Sequence, residues 1–260
     1  MKREDLFQVV SEDADLLIVN KPAGLVCHPT KTDEYSSLVG RARIYLGEGS
    51  HPQLVNRLDR ETSGITVIAL TSESARELRK TWESREVEKD YLAIVHGRVE
   101  RPGGIINVPL GEDLSSKVAI KDCVREDGYA ARTEYWVEAH LDHEVAMEQG
   151  EKGETELKAF SVLRVRPQTG RKHQIRIHLA HIGHPIVGDK IYGGDEDLYL
   201  ALVEDRLTQE QRKRLILPHH ALHASSVRFL WRGTDQCFEA EPEGWHSEWL
   251  STGSAGNSGS

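Results

Sequence analysis

The hydrophobic residues of this chain fall into short runs, and the spacing within each run indicates a secondary structure. Runs rich in β-branched residues, such as residues 65–70, are typical of buried strands. Apolar residues that recur every three or four positions, such as Ala75, Leu78 and Trp82, are typical of helices with a polar outer face. The predicted strands are residues 6–10, 16–20, 65–70, 91–95, 133–141, 157–165 and 227–229. The predicted helices are residues 36–46, 72–85 and 208–216, each beginning at or just after a serine or threonine that can cap it.

Residues 174–182 fit two structures. Ile175, Ile177 and Leu179 alternate in the manner of a strand, whereas Ile175 and Leu179 recur with Ile182 at helical spacing. The pattern alone leaves both interpretations open.

Three other segments lack a regular hydrophobic period. Glycines and prolines between residues 101 and 111 predict irregular structure. Residues 142–156 are acidic and lie between two long predicted strands, so they predict a solvated hairpin extension. Residues 251–260 are rich in Ser and Gly and predict a disordered tail after a single domain of residues 1–250.

The composition is that of an ordinary globular protein, with 260 residues, 38% hydrophobic and 29% charged. No apolar run approaches the roughly 20 residues of a membrane span, and no signal-peptide pattern follows Met1. The three cysteines, Cys27, Cys123 and Cys237, are scattered and lack metal-ligand spacing. Their odd number predicts reduced thiols and a cytoplasmic protein.

The net charge of −9 argues against a nucleic-acid partner, but its distribution weakens that objection. Residues 138–156 and 235–248 together carry −11, which leaves +2 on the remainder. Residues 160–182 contain five cations and no acid. The sequence therefore allows a local basic footprint on an otherwise acidic protein.

The segment with the most distinctive chemistry is residues 56–64, Asn-Arg-Leu-Asp-Arg-Glu-Thr-Ser-Gly. Thr-Ser-Gly is typical of a turn, with Gly64 free to adopt a positive φ. Asp59 is therefore expected on a tight connection between two strands, with Arg57 and Arg60 beside it. Taken alone, the segment would be interpreted as a solvated loop carboxylate near two arginines.

Other segments with unusual residue combinations follow one another along the chain. They are Val-Asn-Lys-Pro-Ala-Gly at 19–24, Lys-Asp-Tyr-Leu-Ala at 89–93 with Gly97, Thr-Gly-Arg-Lys-His-Gln-Ile-Arg at 169–176, Gly-His-Pro-Ile-Val-Gly-Asp at 183–189, Tyr-Gly at 192–193 and His-Ala at 223–224. Together with Arg-Leu-Asp-Arg-x-Thr-Ser-Gly, and in this order, they resemble the RluA-type pseudouridine synthases. The resemblance extends from about residue 6 to residue 230, whereas any one segment would be a weak signal.

The resemblance implies a mixed α/β (α+β) fold, with one catalytic domain on a largely antiparallel sheet flanked by helices. It places a helix at residues 174–179. No S4-type RNA-binding module is expected before the domain, because the matching segments begin close to Met1. The implied activity is isomerisation of uridine to pseudouridine in structured RNA, either rRNA or tRNA, by a monomer that needs no cofactor and no metal.

The resemblance also implies roles for three residues. Asp59 matches the family's nucleophile, which acts on a uridine flipped out of its stack. Arg176 matches the arginine that keeps this carboxylate ionised, and Tyr91 matches the tyrosine that stacks on the target base. Without the resemblance, Arg176 would be interpreted as a surface arginine on an amphipathic helix and Tyr91 as a half-buried strand residue.

The resemblance implies a second set of residues that contact the substrate. They are Lys21, Arg57, Arg60, Thr62, Arg171, Lys172, His173, Gln174 and Val227. The chain departs from the family pattern at Asn56, where the family usually has His, and at Val227, a pocket-wall position where the family has Leu.

Two other functions remain open. The first is an RNA-binding protein on the same fold that has lost catalysis, and the second is a nucleoside or glycoside hydrolase acting through Asp59. The thirteen histidines are densest at residues 173–184 and 219–223, but no cysteine or paired carboxylate joins them. Their spacing predicts helix packing and RNA contact rather than a metal site.

Overall fold

The structure is a computed structural model that describes residues 6–29, 36–84, 86–147, 154–244 and 248–249, with the backbone of 254–255. The strands are β1 (Gln8–Glu12), β2 (Leu16–Lys21), β3 (Gln53–Leu54), β4 (Ser63–Ala69), β5 (Glu88–His96), β6 (Gly103–Asn107), β7 (Leu110–Glu112), β8 (Asp122–Val124), β9 (Arg132–Ala146), β10 (Thr155–Pro167), β11 (Leu222–Trp231), β12 (Thr234–Glu239) and β13 (Ser254–Ala255). The helices are α1 (Leu38–Leu46), α2 (Ser72–Glu83), α3 (Gln174–His181), α4 (Asp197–Val203) and α5 (Gln209–Leu215).

The chain forms two compact units. Unit 1 consists of Met1–Tyr91 and His223–Glu243, and unit 2 consists of Leu92–Leu222 and Gly244–Ser260. Each unit has its own sheet order and its own buried side chains, described in turn below.

Unit 1 is built on a sheet in which β1, β2, β4, β11 and β12 lie side by side, with β3 paired to β4. Every one of these pairs is antiparallel except β4 with β11, which is parallel. In that parallel pair His223 lies opposite Ser63, and Ala224 lies opposite Gly64. This pairing fixes the chain immediately after the loop that carries Asp59.

A helix covers each face of the unit 1 sheet. Alternate residues of a strand point to opposite faces, so Leu16 and Ile18 pack with α2 whereas Leu17 and Val19 pack with α1. Because both faces are buried, apolar residues follow one another in β2 (residues 16–19) and in β4 (residues 67–69) instead of alternating with exposed polar residues. This burial explains why their sequences predicted strands so clearly.

The three helices predicted from regular patterns are confirmed, with caps at their N-termini. The Ser37 side chain accepts a hydrogen bond from the Gly40 amide at the start of α1. Thr71 and Thr208 form capping boxes at the starts of α2 and α5. The seven predicted strands are also present, although most have different ends.

In unit 2 the sheet order is β5, β10, β9 and β13, with β6 paired to β9, while β7 and β8 form a separate two-stranded sheet. The β9–β10 hairpin is longer than predicted, since its pairing runs from Thr133 opposite Pro167 to Ala146 opposite Thr155. The acidic segment therefore begins as paired strands. Residues 148–153 lie outside the described residues.

The prediction of irregular structure at residues 101–104 and 107–111 holds for residues 101–102 and 108–109 but is wrong for Gly103 and Gly104, which lie in β6 and pair with β9. A Cβ atom at Gly104 would come within 2.8 Å of the Tyr135 hydroxyl oxygen. The glycines thus permit close packing against β9 rather than breaking a strand. The short elements β7, β8, β12 and α4 were not predicted either.

The predicted mixed α/β fold class is confirmed by these elements and by their mostly antiparallel pairing. Ser254–Ala255 form a short strand against β9, and the remainder of 251–260 lies outside the described residues, so the disordered tail stays a prediction. Within the described part of the chain, no helix has the length and apolar character needed to cross a membrane.

Gly64 is the position at which unit 1 depends most directly on a missing side chain. Its φ is +115°, and an added Cβ would lie 2.3 Å from the Ala224 carbonyl oxygen. That neighbour is backbone in a paired strand and cannot move without separating β4 from β11. The glycine is therefore required by both its conformation and its close contact.

We predict that Gly64→Ala destabilises the protein far more than Gly47→Ala. Gly47 also has a positive φ, +92°, but no atom of the described residues lies within 4 Å of its Cβ position. Both changes incur conformational strain of about 1–3 kcal/mol. Gly64→Ala should lower the free energy of unfolding by at least about 2 kcal/mol more, because of the backbone clash. Urea denaturation measures the difference, and equal losses for the two variants would contradict the account.

Candidate active site

Asp59 lies, as predicted, on a tight connection between two strands, β3 and β4. It is half-buried, and its carbonyl oxygen accepts a hydrogen bond from the Thr62 amide at 3.2 Å. Thr62 itself is buried, so this end of the turn is held in the protein interior. Arg57 and Arg60, on either side of Asp59, are exposed.

Asn56 closes the base of this loop. Its Oδ1 accepts a hydrogen bond from the Val67 amide at 2.8 Å, and its Nδ2 donates to the Ile65 carbonyl at 3.2 Å. An amide side chain can accept and donate at the same time, so Asn56 can bond both the Val67 amide and the Ile65 carbonyl of β4. The departure from the family pattern at Asn56 therefore has a structural role in holding the loop to the strand.

Lys21 anchors the loop from inside unit 1. Its side chain is fully buried, and Nζ donates to the carbonyl oxygens of Pro22 at 2.9 Å and Leu25 at 2.8 Å. The third donor reaches the carbonyl of Arg60, the residue after Asp59, at 3.2 Å. All three ammonium protons are thereby satisfied. Lys21 was predicted to contact RNA, but its burial makes it a residue that positions the loop.

Two further contacts join the same segments. The Cys27 thiol accepts a hydrogen bond from the Leu58 amide and donates one to the Leu58 carbonyl, both at 3.4 Å. The Arg60 guanidinium donates to the Gly24 carbonyl at 3.2 Å. The chain from Lys21 to Cys27 therefore holds the residues on both sides of Asp59.

The charges around Asp59 are coupled. Burial lowers the pKa of Lys21 to about 8, although the nearby negative groups, Asp59 among them, oppose the shift. Burial raises the pKa of the Cys27 thiol, and the Asp59 charge raises it further. The Asp59 carboxylate therefore lies within electrostatic reach of a buried cation and a buried thiol.

Tyr91 belongs to the same site. Its ring packs against a small apolar cluster formed by Cys27, Leu58 and Ala224, with Leu54 also in contact. Burial raises the pKa of the Tyr91 hydroxyl, and the negative charge of Asp59 raises it further. The hydroxyl is consequently protonated at neutral pH, beside the loop that carries Asp59.

A buried Ser–His pair supports the end of this loop. The Ala240 carbonyl can only accept, so His223 Nε2 carries the proton and donates to it at 2.9 Å. His223 Nδ1 must then accept the hydrogen bond from the Ser63 hydroxyl, at 2.9 Å. Both side chains are inaccessible to solvent, which identifies a structural pair rather than an exposed nucleophile.

In unit 2 the residues of the Thr-Gly-Arg-x-His-Gln-Ile-Arg segment enter α3, which confirms the helix. Gln174 is buried at its start, where Oε1 accepts from Thr169 Oγ1 at 2.6 Å and from the Arg171 amide at 3.0 Å. Its Nε2 donates to the Arg132 carbonyl and to Thr133 Oγ1, both at 2.9 Å. Gln174 was predicted to contact the substrate, but these four bonds make it the anchor of the loop before α3.

Arg176 is 5% exposed, so the alternative of a surface arginine is wrong. Its Nε and Nη2 donate to the two carboxylate oxygens of Asp189 at 2.7 and 2.9 Å. Asp189 also accepts from the amides of Ile191 and Tyr192. Burial disfavours the charged form of Asp189, but Arg176 holds the pKa of this carboxyl well below its usual value. The planar fork fixes the orientation of the guanidinium.

The remaining predicted residues of unit 2 lie around the start of α3. His173 has a φ of +55°, and its Nδ1 shares a hydrogen bond with the Tyr192 hydroxyl at 2.9 Å. Arg171 and Lys172 are exposed, and Lys172 pairs with Asp122 at 2.8 Å. Both cations therefore lie on the surface next to the buried Gln174.

Val227 differs from its predicted place in a pocket wall. It packs in the core beneath α2, with Phe229 and Ile65. Ala224 belongs to the apolar cluster against which Tyr91 packs. Because side chains alternate along β11, Val227, three residues later, points to the other face of the sheet. The sequence-based assignment of Val227 is therefore corrected to a core residue.

Sequence reasoning missed several residues that hold the site. In unit 1 Cys27, Ser63 and His223 carry buried hydrogen bonds around the Asp59 loop, and in unit 2 Asp189 carries them with Arg176. Ser63, His223 and Asp189 lie inside segments that the resemblance had already marked. The signal was present, but only the partner positions in three dimensions give these residues their roles.

Two of the densely spaced histidines, His178 and His184, hold neighbouring parts of the chain. His178 donates from Nε2 to the Val108 carbonyl and accepts at Nδ1 from the Thr133 hydroxyl. His184 Nδ1 bonds to the His96 carbonyl. Among the described residues, no group of three or more His, Cys, Asp or Glu side chains is placed to hold a metal ion.

Comparison with known families identifies the class of this fold and site. The family model described as RNA pseudouridylate synthase matches residues 15–181. The chain therefore belongs to the RNA pseudouridylate synthase family, as the resemblance predicted.

Relatives agree with this assignment. An uncharacterized RNA pseudouridine synthase of Aquifex aeolicus is 37% identical over 71% of this chain and 55% of its own length. The tRNA pseudouridine synthase C of Vibrio cholerae is 34% identical over 89% of this chain and 88% of its own length. The dual-specificity RNA pseudouridine synthase RluA of Escherichia coli is 35% identical over 75% of this chain and 80% of its own length. The chain thus spans just over half of the first relative and most of the other two.

A solved structure shows the same fold. Human RNA pseudouridylate synthase domain containing 1 superposes with a TM-score of 0.71, at 23% identity, over 98% of this chain and 90% of that one. At this identity the likeness shows the fold, whereas the matching family model confirms the predicted family.

We predict a pH-dependent stability that originates in Lys21. Burial lowers the pKa of its ammonium to about 8 from an ordinary 10.5, so between these values the unfolded chain binds more protons than the folded one. The free energy of unfolding should therefore rise with pH across this window, by up to about 3 kcal/mol. Chemical denaturation of the wild type and of Lys21→Met between pH 7.5 and 10.5 measures it.

Lys21→Met serves as the matched control, because other groups titrate equally in both proteins. Its stability should lack this rise, even though it starts from a lower value because three carbonyls lose their donor. Parallel pH curves for the two proteins would contradict the buried-ammonium account.

Proposed function

We propose that this protein isomerises specific uridines in structured RNA to pseudouridine, with Asp59 as the nucleophile. The observation that carries the proposal is the anchored loop. A half-buried carboxylate is carried between two arginines, on a segment fixed by Lys21 and Cys27, and next to the ring of Tyr91. Membership of the RNA pseudouridylate synthase family supports the same reaction.

The reaction breaks the bond between ribose C1′ and uracil N1 and forms a bond between C1′ and C5. The base turns in place, and the proton on C5 is released, while N1 gains one. No electrons are gained or lost, so the protein must supply a nucleophile, hold the detached base and exclude water. One carboxylate suffices, in contrast to the two that glycoside hydrolysis uses.

Tyr91 supplies an apolar surface for the uracil ring. Its own ring packs on the Cys27, Leu58 and Ala224 cluster, which fixes its plane. The raised pKa of the hydroxyl favours a hydrogen-bond donor over a general base at neutral pH. We therefore assign Tyr91 to base stacking, with proton acceptance a lesser role.

Arg176 is proposed as the cation that keeps Asp59 ionised during the reaction. Membership of the family supports this role, and the bidentate bond to Asp189 gives the guanidinium one orientation while balancing part of its charge. Its low exposure means that water screens its charge weakly.

The exposed cations are proposed to bind RNA phosphates. Arg57 and Arg60 lie on the Asp59 loop, and Arg171 and Lys172 precede α3. Phosphate contacts would position the RNA without reading its sequence. His173 remains a proposed substrate contact. Thr62 was predicted to contact the substrate too, but it is buried and, like Lys21 and Gln174, supports a loop that carries these cations.

The RNA substrate is proposed to be tRNA or rRNA. Relatives at 34% identity include a tRNA pseudouridine synthase C, a ribosomal large subunit pseudouridine synthase D and a dual-specificity enzyme, so identity alone does not choose between them. A monomer acting in the cytoplasm is the setting we propose, with reduced cysteines such as Cys27, whose thiol is bonded to Leu58.

We predict that Asp59→Asn abolishes turnover. The amide has nearly the same shape but is not a nucleophile. Release of tritium from RNA labelled at uracil C5 should therefore fall by at least about a thousandfold. The substrate is bulk tRNA and ribosomal RNA transcribed without modification. Asp235→Asn, an exposed carboxylate in the same unit, is the control and should retain wild-type activity.

Nucleoside analysis of the same reactions separates the rival functions. Pseudouridine in intact RNA supports the proposal, whereas free uracil would indicate a hydrolase. An Asp59→Asn variant that releases tritium at the wild-type rate would overturn the assigned nucleophile. A wild-type protein that binds these RNAs but releases no tritium would indicate a binding protein.

A further inference from the structure

Tyr129 is an unusually exposed aromatic residue in unit 2. Its side chain is 72% exposed, on the short segment between β8 and β9. Single exposed apolar residues are common on protein surfaces and by themselves indicate nothing. The surroundings of this one distinguish it.

The backbone that carries Tyr129 is held on both sides. The Tyr129 amide donates to the Leu110 carbonyl at 2.8 Å, and the Leu110 amide donates to the Tyr129 carbonyl at 3.0 Å. A Cβ on the preceding Gly128 would lie 2.5 Å from the Leu110 carbonyl oxygen, so this close pairing depends on the glycine. The ring is therefore presented from a fixed backbone.

Arg171 lies over the Tyr129 ring, with its guanidinium carbon 5.3 Å from the ring centroid. Its Nε donates to the Ala130 carbonyl at 3.2 Å, and its amide donates to the buried Gln174 side chain at 3.0 Å. The Arg171 guanidinium thus contacts a carbonyl oxygen and an aromatic ring, and it forms no ion pair with a carboxylate of the described residues. The stack is prepared before any ligand arrives.

We infer that Tyr129 and Arg171 form a stacking platform for an unpaired base of the RNA substrate, with Arg171 also contacting a neighbouring phosphate. The inference rests on the proposed function and adds Tyr129 to it as an RNA-binding residue. Aromatic rings and guanidinium planes are the surfaces on which single-stranded bases stack. A fixed platform binds without the entropic cost of ordering a loop.

Binding of a fluorescein-labelled RNA hairpin with a uridine-rich loop, followed by fluorescence anisotropy, tests the platform. Tyr129→Ala should weaken binding by about one to two orders of magnitude, because a base loses its stacking partner. Tyr129→Phe keeps the ring and should bind as the wild type does. Leu230→Ala, which removes another exposed apolar side chain, is the control and should not change the affinity.

Salt dependence separates the two residues. Arg171→Gln should reduce the slope of log affinity against log salt by about 0.7–0.9, the loss of one phosphate contact. Tyr129→Ala should leave that slope unchanged. In single turnovers at saturating RNA, Tyr129→Ala should react at nearly the wild-type rate, because the platform binds RNA and takes no part in the chemistry.

Equal hairpin affinities for the wild type and Tyr129→Ala, or no hairpin binding by the wild type, would overturn the inference. Tritium release by the wild type decides the proposed function separately. If the wild type releases tritium and Tyr129→Ala binds normally, the platform fails and the proposed function stands.

Discussion

The site in unit 1 depends on one constraint, the attachment of the Asp59 loop to the segment from Lys21 to Cys27. A loop normally lies on the surface and moves, which would leave a catalytic carboxylate poorly placed. Here the Lys21 ammonium bonds to the carbonyl after Asp59, and the Cys27 thiol bonds to both backbone groups of the residue before it. The position of the carboxylate is thereby set by buried hydrogen bonds that water cannot replace.

Both units apply the same physical solution, a buried polar side chain with every hydrogen bond satisfied. Lys21 donates three hydrogen bonds to carbonyl oxygens. Gln174, at the start of α3, donates two hydrogen bonds and accepts two. Such groups are costly when partly satisfied, but fully bonded they rigidify what they touch. The buried Arg176–Asp189 pair obeys the same rule, since removal of either partner would strand a charge.

Much of the fold could be predicted from the sequence where the pattern was local. Strands β2 and β4 contain runs of consecutive apolar residues because both faces of their sheet are buried, and α2 has a clear apolar stripe. The helix α3 could not be predicted from its pattern, because residues 174–179 are all buried and no polar face exists to mark a period. β6 was missed because its glycines indicate a break unless the strand opposite is known.

Polar residues near Asp59 were harder to interpret than apolar ones. Arg60 and Lys21 are both basic, yet Arg60 is exposed and Lys21 is fully buried. Nothing local distinguishes them, since the carbonyls that bind Lys21 come partly from a segment 39 residues away. The sequence therefore located the site through its resemblance, while the division between residues that fix loops and residues that face solvent needed the coordinates.

The central claim, that Lys21 fixes the Asp59 loop for chemistry, is tested most directly by single-turnover kinetics. The rate of pseudouridine formation at saturating RNA would be compared between the wild type and folded Lys21→Met. The account predicts a loss of about a hundredfold or more in rate with little change in RNA affinity, because the carboxylate is displaced while the exposed cations remain. A wild-type rate in the folded variant would contradict it.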